Sequence, residues 1–151
     1  MMFDENAGGG GRGPSHAEAL NVLARAEPAG LKALAEQLLE RLGDIEVLGN
    51  RTGLVMVPMR DTVENVDFHL GEVLVSEAHI TDAVGAIGYG MITGRDLERA
   101  MAMAVVDLAL ATDIGAAEIE TLLTTERRRL AAIDEDRMRR VEATRVEMET
   151  F

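Results

Sequence analysis

The stretch VDFHLGEVLVSEAHI, residues 66–80, decides the fold, because apolar and polar side chains alternate along much of its length. One face of the predicted element is apolar and carries Val66, Phe68, Leu70, Leu74, Ala78 and Ile80. The opposite face carries ionisable side chains at Asp67, His69, Glu77 and His79. A period of two residues is typical of a β-strand. The stretch therefore predicts one long strand, with a bulge or bend at Gly71.

Shorter strand signals lie on both sides of this stretch. The run LVMV, residues 54–57, stands between Gly53 and Pro58, as in a short strand that is buried on both faces. Pro58 restricts that strand to a sheet edge or a strand end, since proline cannot donate to the ladder. After a turn near residues 81–82, residues 85–93 predict a further strand. The short connections predict an antiparallel sheet of three to four strands.

Two helices are predicted before the sheet. Ser15 and Glu18 have the spacing of a capping box, which predicts a helix from there to about Ala26. Pro28 suits the first turn of a second helix, and Gly43 ends it. The apolar residues of the second helix form a single stripe at helical spacing, at Leu31, Leu34, Ala35, Leu38, Leu39 and Leu42.

Helices are also predicted after the sheet. Asp96 is a good N-cap for a helix at residues 97–111, whose side chains are apolar almost all round. We expect this helix to pack centrally on the sheet or to be covered by a partner. Residues 112–133 predict a further helix, and Asp134 begins a last, charged helix that runs toward Met148.

This order of elements predicts the α+β class, with an antiparallel sheet of three to four strands flanked by N-terminal and C-terminal helices. Residues 1–14 contain four consecutive glycines and predict a flexible arm. Residues 15–151 predict a single domain, which is usual for a chain of 151 residues.

Composition argues against several classes of function. The chain has no cysteine, which rules out disulfides, thiolate metal sites and a cysteine nucleophile. With 27 acidic and 15 basic residues the net charge is −12, and 3% of the residues are aromatic, so the chain lacks the basic stripe and stacking platforms of a nucleic-acid-binding protein. No apolar run is long enough to span a membrane. We expect a cytoplasmic protein with neither nucleic acid nor membrane as a partner.

The reactive side chains are few and scattered. The histidines, His16, His69 and His79, lack the spacing of a metal site, and a solvated or capped role is favoured for each. Ser76 lies within the long strand, without the strained turn that exposes a nucleophile. We find no self-sufficient active site in this pattern and expect no metal or other cofactor in this chain. The sequence therefore favours a protein that acts in a complex.

Two further patterns favour structural roles. The stretch GAIGYG, residues 85–90, does not match the dinucleotide-binding fingerprint, because the next helix begins only after Gly94. Its glycines instead indicate that another backbone or a helix approaches closely. Three consecutive arginines, Arg127 to Arg129, follow Glu126 and predict a solvated face.

The turn Gly94-Arg95-Asp96 has two interpretations. An arginine beside free backbone amides at the start of a helix can bind an anion. The alternative is a tight turn with an N-cap aspartate and an arginine that is paired on the surface. Spacing alone favours this structural alternative, and both stay open.

An ordered set of short motifs gives the middle of the chain a family resemblance. The set comprises TGLVMV at 52–57, Arg60, FHLGEV at 68–73, Gly85, GYG at 88–90 and GRD at 94–96. In this order and spacing, it resembles the PhnG family, the G subunit of the carbon–phosphorus lyase core complex. The best match covers residues 51–100, and weaker similarity extends over residues 15–26 and 136–146.

The resemblance implies a role in the use of organophosphonates. In the family, the G subunit assembles with H, I and J subunits. The I subunit, together with G, H and an ATPase-like L subunit, attaches the phosphonate to the ribose of ATP and releases adenine. The J subunit later cleaves the carbon–phosphorus bond by radical chemistry. The resemblance thus implies an accessory subunit with H, I and J as partners, in a complex that uses ATP and magnesium, and it assigns no catalytic residue to this chain.

Six residues are our candidates for contact with a partner or an anion: Arg60, Glu72, Tyr89, Gly94, Arg95 and Asp96. We expect Arg95, with the amides near Asp96, to position an anionic group or an acidic partner. The chain departs from the family at Glu77, where a basic residue is common, and after Met148, where an aromatic tail is common. If these positions contact a partner, we expect the contact to differ from that of the family.

Two other functions stay open on the sequence. One is a stand-alone small transferase or hydrolase with its site at the Gly94 turn. The other is an acidic, self-associating scaffold that is unrelated to phosphonates.

Overall fold

The computed structural model describes residues 15–61 and 66–149, and only the backbone of residues 57–61, 66–70 and 146–149. The predicted flexible arm, residues 1–14, lies outside this part of the chain. The elements are α1 (His16–Ala24), α2 (Pro28–Leu42), β1 (Ile45–Asp61), β2 (Val66–Asp82), β3 (Ile87–Thr93), α3 (Leu97–Ala111) and α4 (Ala116–Glu149). Four helices and an antiparallel sheet confirm the α+β class. The capping box at Ser15 and the end of α2 at Gly43 are confirmed as well.

The sheet has three strands in the order β1-β2-β3, with both pairings antiparallel. β1 is an edge strand, as Pro58 predicts. The register of β1 and β2 shifts between Val57 and Pro58, opposite Gly71, which confirms the predicted irregularity there. β3 pairs with β2 only from Val75 to Thr81. Beyond that point β1 and β2 continue as a two-stranded ribbon, residues 54–61 with residues 66–74.

The prediction that residues 54–57 form a short buried strand is wrong. They belong to the 17-residue strand β1, and the side chains of Leu54 and Met56 are 62% and 59% exposed. The physical reason is their position. They lie in the ribbon, beyond the point where β3 pairs with β2. A run of apolar residues predicts a strand, but it does not show whether another strand or a helix covers that strand.

α3 packs on the sheet, and the predicted central position of this helix is confirmed. It is buried from Ala102 to Ala109 and contacts β3, β2 and α2. Gly88 and Gly90 of β3 face it. A Cβ atom at Gly90 would collide with the carbonyl oxygen of Ala100 and lie 2.8 Å from the amide nitrogen of Ala104. The glycines of the GAIGYG stretch therefore admit a helix backbone, as predicted. α2 lies along α3, and α1 and the first half of α4 complete the core.

Substitution of Gly90 by alanine tests this close approach. We expect Gly90→Ala to lower the free energy of unfolding by about 1–3 kcal/mol, because α3 must move away from the sheet to admit the methyl group. Gly53→Ala is the matched control, since a Cβ atom at this exposed strand glycine meets nothing within 4 Å. Urea denaturation measures both variants, and equal stability of the two would contradict the proposed constraint.

α4 is one continuous helix from Ala116 to Glu149, so the predicted break at Asp134 is wrong. No proline or glycine interrupts this segment, and Asp134 pairs with Arg25 at 3.7 Å instead of capping a new helix. Residues 131–145 are exposed along their whole length. Pairs such as Arg140 with Asp136, at 2.8 Å, contribute to this part of the helix.

The prediction of a solvated face at Arg127 to Arg129 is wrong for Arg129. Its Nη2 donates to the carbonyl oxygen of Arg25 at 2.7 Å, and its Nε donates to Glu126 at 3.0 Å. Glu126 is only 4% exposed and also accepts from the amide of Glu27. Burial by itself raises the pKa of Glu126, but the hydrogen bonds from Arg129 and Glu27 outweigh it and lower the pKa below the usual 4.5. This cluster fixes α4 to the junction of α1 and α2.

Glu126→Gln removes the charge from this cluster. We expect the free energy of unfolding to fall by about 1–3 kcal/mol near neutral pH, because Arg129 loses a charged acceptor. Since the folded pKa is the lower one, the advantage of the wild type over the variant is present above pH 4.5 and is lost as the pH falls through the folded pKa. Denaturation of both proteins from pH 7 to acid measures this difference.

Glu142→Gln serves as the control for that experiment. Glu142 forms an exposed pair with Arg145 at 3.8 Å, and such pairs contribute at most about 1 kcal/mol. A loss in Glu126→Gln no larger than in Glu142→Gln would contradict the structural role of the cluster.

Candidate functional surface

The turn at residues 94–96 is held by Ser76 of β2. The Ser76 hydroxyl donates to the carbonyl oxygen of Gly94 at 2.7 Å and accepts from the amide of Asp96 at 3.0 Å. The amide of Gly94, where φ is +98°, donates to the carbonyl oxygen of Leu74 at 2.8 Å. Ser76 is fully buried. It therefore orients the turn, a role that its place in an alternating strand does not reveal.

Asp96 is the N-cap of α3, as predicted. Its Oδ1 accepts from the amide of Arg99 at 3.0 Å and lies 3.7 Å from the ammonium of Lys32. The first turn of α3 thus already holds a carboxylate of the chain itself, which favours the structural interpretation of this turn. Arg95 is exposed beside it. A contact between Arg95 and an anionic group or an acidic partner stays a prediction.

The six candidate residues do not form one cluster. Gly94, Arg95 and Asp96 lie together, while Glu72 is exposed in the ribbon, opposite Met56. Tyr89 lies in β3, and β3 does not reach the part of β2 that contains Glu72. Arg60 is in β1, and its side chain lies outside the described part of the structure.

Tyr89 belongs to a polar network on the sheet face turned away from α3, which we call the outer sheet face (Arg51, Glu77, His79, Tyr89 and Met91). The Tyr89 hydroxyl donates to Glu77 Oε2 at 2.7 Å, and Arg51 Nε donates to Glu77 Oε1 at 3.1 Å. The rings of His79 and Tyr89 meet edge to face, with their centroids 5.1 Å apart. Arg51 and Glu77 are direct partners in the β1–β2 register. The network thus joins all three strands.

The network shifts the pKa values of Tyr89 and Glu77 in opposite directions. The pKa of Tyr89 is raised to about 12. Partial burial of the phenol is the largest cause, and the hydrogen bond to Glu77 and the negative charge of Glu77 add to it. The hydrogen bond from Tyr89, followed by the one from Arg51, lowers the pKa of Glu77. The pair therefore stays a neutral phenol and a carboxylate at physiological pH, and Glu77 keeps its charge at the centre of this face.

Titration of Tyr89 tests the network directly, because Tyr89 is the one tyrosine of a chain without tryptophan. We expect the ultraviolet absorbance of phenolate to report a pKa of about 12 in the native protein. Glu77→Gln removes the carboxylate and should bring the pKa down toward the ordinary value of 10.0. The pKa of Tyr89 is higher in the folded protein than its ordinary value of 10.0. The contribution of this tyrosine to the free energy of unfolding is therefore fully present below pH 10, and it is lost as the pH rises through the folded pKa.

Glu72→Gln is the control, since Glu72 is an exposed carboxylate of the same strand outside the outer sheet face network. A tyrosine pKa near 10 in the wild type would contradict the hydrogen bond between Tyr89 and Glu77. So would an equal tyrosine pKa in Glu77→Gln and Glu72→Gln.

A cavity of about 500 Å³ lies between α1, β3, α3 and α4 and contains a histidine–carboxylate pair. Nε2 of His16 is hydrogen-bonded to Oδ1 of Asp107 at 2.7 Å, and the side chains are 68% and 5% exposed. Oδ2 of Asp107 accepts from the backbone amide of Tyr89 at 2.9 Å. Most of the other lining residues are apolar, and Glu120 lies among them. His16 is thus largely exposed, but its ring is fixed by the hydrogen bond to Asp107.

Asp107 is the residue of this cavity that the sequence analysis missed. It is the single charged residue between Ala100 and Ala111, and a lone carboxylate in an otherwise apolar helix is the signal that could have found it. Both of its oxygens have partners within the chain. Asp107 orients the imidazole of His16, but the described lining residues supply no nucleophile beside the pair.

Two observations concern metals and membranes. Within residues 15–61 and 66–149, no group of three or more histidine, aspartate or glutamate side chains is arranged to hold a metal ion. Over the same part of the chain, no helix combines the length and the apolar character that a bilayer span requires.

Comparisons with known proteins agree on one family. Residues 15–151 match the family model described as phosphonate metabolism protein PhnG. A protein of Rhizobium meliloti (strain 1021), described as alpha-D-ribose 1-methylphosphonate 5-triphosphate synthase subunit PhnG, is 32% identical over 134 residues. The alignment covers 89% of this chain and 86% of that protein. The similarity therefore includes the helices as well as the sheet.

Proposed function

Since the chain belongs to the PhnG family of phosphonate metabolism proteins, we propose that it is the G subunit of an α-D-ribose 1-methylphosphonate 5-triphosphate synthase. The observation that carries this proposal is the 32% identity to the Rhizobium meliloti subunit over 89% of the chain. A match of that extent covers most of the chain and is not confined to one short motif.

The geometry supports an accessory role in that synthase. The ionisable groups that lie close together, His16 with Asp107 and Glu77 with Tyr89, are bonded to one another. The α3 N-terminus is occupied by Asp96. Groups of this kind stabilise a subunit and shape its surface. This argues against the stand-alone transferase or hydrolase with a site at the Gly94 turn.

In this proposal the reacting molecules are bound by other subunits. The chain assembles with H, I and J subunits in the cytoplasm, and ATP with magnesium is used by the complex. This chain contributes a folded surface that completes the assembly. An acidic scaffold unrelated to phosphonates is the weaker alternative, because the family match is to phosphonate metabolism.

Adenine release tests the proposal. We expect the purified chain, incubated with ATP, magnesium and methylphosphonate, to release no adenine, and we expect release once the remaining synthase subunits of the same organism are added. Liquid chromatography measures the adenine. Release by the chain alone would contradict the accessory role. Release by the other subunits at full rate without the chain would contradict membership in the synthase.

A further inference from the structure

The two-stranded ribbon, residues 54–61 and 66–74, is the part of the fold that the described chain does not complete. A two-stranded antiparallel pair is marginally stable in water and needs a third strand or a packing layer. Next to β3 the sheet has both, because β3 and α3 cover β2. In the ribbon β3 has ended, and Leu54, Val55 and Met56 are exposed. Adjacent side chains of a strand point to opposite faces, so residues 54–56 of β1 present apolar side chains on both faces of the ribbon.

The free edge of β1 is distinctive among the edges of this sheet. A sheet edge is normally protected by charged side chains or by a covering element. At the edge of β3, the outward amide of Tyr89 has a partner, since it donates to Asp107 of α3. The β2 side of the ribbon carries the exposed carboxylate of Glu72. β1 has no charged residue from Gly53 to Met59, and within the described residues no strand pairs with its outer side.

We infer that the free edge of β1, at residues 53–57, is the docking site for an extended segment of another synthase subunit, which adds a strand to the sheet there. This inference rests on the proposed function and names the surface used. Backbone hydrogen bonds along the edge provide affinity, and apolar side chains of the incoming strand cover Leu54 and Met56 on one face and Val55 on the other.

The net charge of the chain indicates which kind of partner binds at this edge. A second copy of this chain would bring together two molecules of net charge −12, and like charges of that size oppose association. The exposed segment itself is uncharged, with Arg51 on one side of it. The fitting partner is therefore a different chain, whose strand carries apolar side chains on both faces opposite residues 54–56 and no positive charge beside Arg51.

The double variant Leu54→Lys with Met56→Lys tests the site. Both side chains are largely exposed, so the substitutions place charges on the edge without entering the core. We expect the variant to bind the remaining subunits of the synthase at least about tenfold more weakly than the wild type, measured by biolayer interferometry on the purified subunits. Val84→Lys, at an even more exposed apolar position in the β2–β3 turn, should bind like the wild type.

Hydrogen exchange by mass spectrometry identifies the mode of contact. We expect those amides of residues 53–57 that face away from β2 to become protected when the complex forms. Equal binding by the double variant and the wild type, or protection confined to other elements, overturns the inference. So does a dimer of the isolated chain that the double variant abolishes, because the occupant would then be a second copy. If the wild type fails to bind the other subunits, the proposed function fails first, and the two failures are thereby distinguished.

Discussion

The contact between β3 and α3 sets the distance between the sheet and its central helix. Gly88 and Gly90 present no side chain to α3, so the helix lies against the strand backbone near Ala100 and Ala104. At such a separation a large side chain does not fit between the strand and the helix, which accounts for Ala100 and Ala104 of α3. The rest of the core follows from this spacing, because α2 packs along the far side of the same helix.

The same contact places the polar groups that hold the other elements. With α3 close to β3, Asp107 reaches the Tyr89 amide at the edge of the sheet. Its second oxygen binds His16, which fixes the start of α1. At the opposite end of α3, Ser76 and Asp96 close the turn that connects β3 to the helix. The hydrogen bonds of Asp107, Ser76 and Asp96 therefore all depend on the position of α3 against β3.

Sequence patterns predicted the parts of the fold that depend on local chemistry. The capping box at Ser15, the N-cap at Asp96 and the close approach at residues 88–90 each follow from the side chains within a few residues. The mistaken predictions involve partners distant in sequence. Arg129 contacts Arg25, 104 residues away, and the exposure of Leu54 depends on where β3 stops. The network of Arg51, Glu77 and Tyr89 depends on register, which periodicity alone does not give.

The apolar side chains of the described residues are buried around α3 and exposed at residues 54–56 of the ribbon. Around α3 the apolar side chains are buried, and each carboxylate there, Asp107 and Glu126, has hydrogen-bonding partners. In the ribbon Leu54, Val55 and Met56 are exposed, and the neutral strand edge that carries them has no partner among the described residues. Because burial of apolar surface drives association as well as folding, a chain with this division gains free energy from a second polypeptide at the ribbon. A subunit of an assembly requires this property, and a self-contained enzyme does not.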